Sequence, residues 1–110
     1  MAYNGKPFFK IPRPVLLAGG VENRTIDGNI DLADKDSLFQ MIDGQAADRD
    51  VTLPAEQNGR VYCIQNAGAT NNLVVKDTAA STIVTLAAGD VAVLVCDDTA
   101  WYPIINVSNL

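Results

Sequence analysis

From residue 60 onward, hydrophobic and polar positions alternate in short blocks at a steady pitch. Arg60–Asn66 is apolar and branched and stops at Ala67-Gly68; Asn72–Lys76 follows and stops at Asp77-Thr78-Ala79. Thr82–Leu86 ends at Ala87-Ala88-Gly89-Asp90, Val91–Cys96 runs into Asp97-Asp98-Thr99, and Trp101–Val107 is the last block. Block centres lie about ten residues apart, a spacing that predicts hairpin-linked strands of an antiparallel sandwich or small barrel. Branched side chains reinforce the reading, because two heavy atoms on Cβ suit a pleated surface better than a helix. Val, Ile and Thr fill 26 of the 110 positions.

Two of these strands show no polar face. In Val91-Ala92-Val93-Leu94-Val95-Cys96 both alternating sets are apolar, and in Arg60–Gln65 Tyr62 and Ile64 share one side while Val61 and Cys63 share the other. A domain of this size cannot bury both faces of several strands within itself, so the pattern predicts that another subunit covers the second face. Between Asp27 and Asp50 the chain carries seven acids and two bases, with turns at Asp27-Gly28-Asn29 and Asp43-Gly44. Short strands fit at 30–32, 38–42 and 51–53. The stretch 34–41 also admits one helical turn started by Asp34 or Asp36, although the alternation of Phe39 and Met41 favours a strand.

The first 23 residues read differently, as an extended arm ahead of a β domain at 24–110. Pro7, Pro12 and Pro14 fix extended backbone and remove amide donors. Lys6, Lys10 and Arg13 precede the first acid, Glu22, and stand among Phe8, Phe9, Ile11, Val15, Leu16 and Leu17; Ala18-Gly19-Gly20 supplies a hinge. So much apolar surface predicts that the arm lies against its own domain, a sister subunit or another protein. Phe8, Phe9, Lys10, Ile11 and Arg13 are the candidate docking residues, and their cations favour a negatively charged partner.

Composition narrows the chemistry. The formal charge of −5 argues against nucleic acid and anionic membranes as partners. No apolar run approaches the roughly 20 residues of a membrane helix, and the opening residues do not resemble a signal peptide. There is no histidine, which removes the usual general base and the commonest metal ligand. From Asp34 an EF-hand loop would need an oxygen at Leu38 and a glutamate at Gln45, and has neither. Asp27, Asp31, Asp97 and Asp98 read as turn formers, and no serine sits in a nucleophile motif. The expectation is a non-enzyme without metal or cofactor. Cys63 and Cys96 admit a disulfide but fit better as two buried thiols in a chain made in the cytoplasm. Trp101 and Tyr102 read either as an aromatic plug and packing surface or as a sugar-stacking platform.

The run Leu53-Pro54-Ala55, Gly59–Asn66, Asn72–Asp77, Ile83–Leu86, Gly89–Asp97 and Trp101 resembles the small β domains on tailed-bacteriophage virions, most closely the head decoration (cement) proteins. Similar strings occur in phage fibre and baseplate proteins. The resemblance spans about half the chain, and the arm has no counterpart in it. It implies a homotrimer on the capsid exterior that clamps the major capsid protein and stabilises the shell. The alternative is a tail fibre or baseplate module binding host glycans through Trp101 and Tyr102.

Overall fold

A computed structural model describes residues 19–108. These residues form nine strands and no helix: β1 (Val21–Thr25), β2 (Ile30–Asp31), β3 (Phe39–Asp43), β4 (Arg49–Thr52), β5 (Val61–Asn66), β6 (Leu73–Lys76), β7 (Thr82–Leu86), β8 (Val91–Cys96) and β9 (Trp101–Val107). They build an all-β, two-sheet molecule. One sheet has five strands in the order β1-β3-β5-β8-β9; the other has four, β2-β4-β6-β7.

The pairing is mixed rather than antiparallel throughout. β1, β3 and β5 run parallel, as do β2, β4 and β6; the antiparallel pairs are β5 with β8, β8 with β9, and β6 with β7. The first six strands therefore coil: the chain lays one strand in the first sheet, crosses to the second, returns and stacks the next turn in parallel. A ten-residue spacing between strands serves a corner between two sheets as well as a hairpin, which is why the sequence pattern did not separate them. The corner at Gly44 is tight enough to need glycine, since a Cβ there would stand 2.8 Å from the Arg49 side chain.

Two other expectations change. β1 begins at Val21, so Val21–Asn23 belong to the β domain and the boundary after residue 23 falls inside a strand. The stretch 34–41 makes no helical turn. Asp36 instead closes a tight turn, its carboxylate accepting from the Ala33 amide at 2.7 Å while its own amide donates to the Ala33 carbonyl at 2.9 Å, and β3 follows.

The core lies between the sheets. Ile42, Ile64, Ala92 and Leu94 from the larger sheet meet Val51, Leu73, Val75 and Leu86 from the smaller, all at 0–1% exposure. Each buried aliphatic contributes roughly 1.5–3 kcal/mol. Asn66 is the polar tie within this layer: its Nδ2 donates to the carbonyls of Asn71 (2.7 Å) and Leu86 (2.8 Å), and its Oδ1 accepts from the Gly68 amide.

Candidate assembly surface

Residues paired across a ladder point to the same side of a sheet, so the register defines the outer face of the five-stranded sheet row by row. One row reads Val21, Phe39, Cys63, Val93, Ile105; the next reads Asn23, Met41, Gln65, Val91, Val107. Toward one end lie Val61, Val95 and Tyr102. None of these thirteen side chains is charged. No described residue covers the face: Phe39, Met41, Cys63, Val91, Val93 and Val95 are only half-buried by their lateral neighbours.

The face is most open along β9. Tyr102 (46%), Ile105 (48%), Val107 (53%) and Ile104 (58%) are exposed together, and β9 is an edge strand. The register slips between Val93 and Leu94, which pair with Ile105 and Pro103, and Ile104 is the extra residue of that bulge. Pro103 removes one edge donor. A long apolar edge of this kind favours association with another chain.

At the other end of the sandwich the first turn of the coil is closed by charge. Glu22 and Arg24 share the inward side of β1 with Gln40 and Ile42 of β3. One Glu22 oxygen accepts from the Ser37 amide (2.6 Å) and from Gln40 Nε2 (3.1 Å), while the Arg24 guanidinium bridges Glu22 (3.0 Å) and Asp36 (2.8 Å). The Ser37 and Gln40 donors, followed by Arg24, hold the Glu22 carboxyl below its ordinary value. Arg24 Nε and Gln40 Oε1 are buried here without partners.

The residues singled out from the sequence are dispersed. Phe8, Phe9, Lys10, Ile11 and Arg13 lie outside the described residues. Trp101 is 3% exposed and faces the interior, its indole Nε1 donating to the Pro54 carbonyl at 3.0 Å and its ring tilted against Tyr62 with centroids 6.0 Å apart. Tyr102 is on the opposite side of β9, its hydroxyl donating to Asp97 at 3.2 Å. Adjacent strand positions face opposite ways, so the two rings do not form a common platform, and Trp101 is the plug. Cys63 and Cys96 separate for the same reason: both are free, one on the outer face of β5 and the other on the inner face of β8. Burial pushes both thiols up.

The acids are engaged as local acceptors. Asp97 takes the amides of Ala100 (2.8 Å) and Thr99 (2.7 Å), which hold its pKa below the ordinary value. Asp77, Asp90 and Asp43 cap turns in the same way. A cleft of about 300 Å³ between Asp34, Gln57, Arg60 and Tyr62 has its polar atoms tied to one another: Arg60 meets Asp34 at 2.6 Å and Gln57 at 2.6 Å, and the Tyr62 hydroxyl donates to the Ala33 carbonyl. Among the described residues, no group of three or more acids or cysteines is placed to hold a metal ion.

The surface that sequence reasoning assembled only in part is the outer face itself. The two-sided strands flagged β5 and β8, but Val21, Phe39 and Met41 joined them only through the parallel register. No family model, curated protein or solved structure matches the chain.

Proposed function

We propose that this chain is a structural subunit of a tailed-phage virion, a head decoration (cement) protein that acts by being held among copies of itself and the major capsid protein. One observation carries the reading: the outer face of the five-stranded sheet, apolar except for Asp43 at the end of β3, covered by none of the described residues and continuous with the apolar β9 edge. Such a face stabilises a subunit only when another chain takes it out of water. In the proposed homotrimer the β9 side of one subunit packs on the next. The arm residues Phe8, Phe9, Lys10, Ile11 and Arg13 then reach the shell.

Charge supports the division of labour. The first 18 residues carry three cations and no acid, and all thirteen acids fall in the remainder with only five cations. A basic, proline-stiffened arm is steered toward an acidic partner surface. Three arms on one trimer bind with avidity, and ligand that binds only the closed shell raises the free energy needed to open it. The fibre reading is weaker, because burial of Trp101 leaves Tyr102 as its single aromatic contact.

Sizing with light scattering is expected to return a trimer, and the trimer is expected to bind mature phage heads but not free capsid subunits. A monomer without affinity for heads overturns the proposal.

A further inference from the structure

The turn that leads into β5 places Asn58 before Gly59, and no other Asn–Gly pair occurs among the described residues. Asn58 is exposed, and Gly59 has left-handed backbone, φ 92°, with nothing within 4 Å of the place a Cβ would take. The turn therefore needs glycine for its conformation and not for lack of room. Asparagine is among the thermolabile side chains, and most so before glycine, whose amide nitrogen approaches the carboxamide past no side chain. We infer that Asn58 is a deamidation site held shut by the main-chain hydrogen bond from Gly59 to Cys96, and that it reacts when this end of the β5–β8 ladder opens.

The chemistry needs the Gly59 nitrogen free. Base removes its proton, and the nitrogen attacks Cγ of Asn58. The new N–Cγ bond forms as the Cγ–Nδ2 bond breaks, and the side-chain nitrogen takes up a proton and leaves as ammonia. Water then opens the cyclic imide at either carbonyl, giving aspartate or isoaspartate. In the folded chain that nitrogen is occupied: Gly59 N–H donates to the Cys96 carbonyl at 2.8 Å, and the Cys96 amide donates to the Arg60 carbonyl at 2.9 Å. The Asn58 amide is held as well, by Asp98 Oδ1 at 3.1 Å. Loss of the Gly59 proton and rotation of Asn58 toward it both require these contacts to break. β5 starts at Val61 and β8 ends at Cys96, so the contacts close the last rung of the ladder, where opening costs least.

Reclosing the ladder does not undo the reaction. Either product puts a carboxylate beside Asp98 and two residues from Glu56, where like charges repel. Isoaspartate also adds a methylene to the main chain between residues 58 and 59, which takes Gly59 and Arg60 out of step with Cys96. The inference stands independently of the phage reading, since it concerns one chain alone.

The full chain is incubated in mildly alkaline buffer, folded and in urea, and aspartate plus isoaspartate at position 58 are followed by peptide mapping. Amide hydrogen exchange at Gly59 is followed by NMR in the same folded sample. Conversion is expected to be roughly tenfold to a hundredfold slower in the folded chain, and slowed by the same factor as Gly59 exchange, since one opening frees the nitrogen for both. Equal conversion in the folded and unfolded chain overturns the inference, and so does slow conversion with Gly59 exchange unprotected. Asp98→Ala releases the Asn58 amide and is expected to raise conversion and Gly59 exchange together, several-fold; a rise in conversion alone overturns the inference, because the Gly59–Cys96 bond is then not what holds the site shut.

Discussion

The two sheets present opposite outer faces. On the four-stranded sheet the outward rows read Asp31, Thr52, Lys76, Thr82 and Asp50, Val74, Thr85, with Lys76 paired to Asp50 at 3.0 Å. That face is made for water, and its ion pair contributes at most about 1 kcal/mol. The five-stranded sheet carries Val, Ile, Phe, Met, Cys and Tyr in the equivalent places, and its one outward acid there, Asp43 at the end of β3, caps the turn at Gln45. Both sheets supply similar aliphatics to the shared core, so the difference has no bearing on holding them together. In the proposed assembly it separates two jobs: the inner layer folds the chain, and the outer face of one sheet is the surface offered to a partner.

The sharpest way to break this comparison is to place the same charge on both faces. Val93 is the middle of the apolar face, between Cys63 and Ile105; Thr85 is exposed on the wet face. Val93→Asp is expected to weaken self-association roughly a thousandfold, because a carboxylate buried without a partner costs about 4 kcal/mol or more. Thr85→Asp is expected to leave it unchanged. Light scattering over a dilution series, with circular dichroism to confirm the fold, checks both. Equal behaviour of the two variants would mean that the apolar face joins nothing.

A smaller effect is expected when the inner layer is cut instead. Asn66 is 1% exposed and ties two carbonyls and the Gly68 amide, one of the carbonyls on β7 of the other sheet. Asn66→Ala leaves these groups buried without a partner and is expected to cost about 2–4 kcal/mol of unfolding free energy. Urea denaturation of the dissociated subunit measures it. Val93→Asp in the same assay is expected to change little, so the two variants exchange roles between folding and association.

How far this division was legible from the sequence depends on what each residue faces. β7, β8 and β9 were readable to the residue, since Thr82–Leu86, Val91–Cys96 and Trp101–Val107 are dense in branched side chains and bounded by Gly or Asp turns. The two-sided character of β5 and β8 was visible as well, and it pointed to the larger sheet. β1 was not visible: Val21-Glu22-Asn23-Arg24-Thr25 turns its charged residues inward at the end of the sandwich, inverting the usual alternation. The parallel register was equally hidden, because Phe39 meets Val21 and Cys63 through corners whose lengths differ, 18 and 24 residues apart along the chain. Trp101 and Tyr102 are neighbours in sequence and were read as a pair, yet strand geometry sends one into the core and the other to solvent.

The inward charges of β1 give the smallest and most selective effect, one that depends on pH. Glu22 has its folded pKa lowered by the Ser37 amide, the Gln40 side chain and Arg24. A lowered carboxylate contributes stability that is fully present above its unfolded value, near 4.5, and is lost as pH falls through the lower folded value. Glu22→Gln keeps the shape but no longer titrates. The variant is therefore expected to melt slightly below the parent at pH 7, and the two melting temperatures are expected to converge as pH is lowered from 5 toward 3. A residual acid slope is expected in both, because the pKa of Asp97, in the turn between β8 and β9, is also lowered by the Ala100 and Thr99 amides. Parallel curves would show that the charges closing the first turn do not hold it shut, and the inner end of β1 would then be as open to a partner as the outer face.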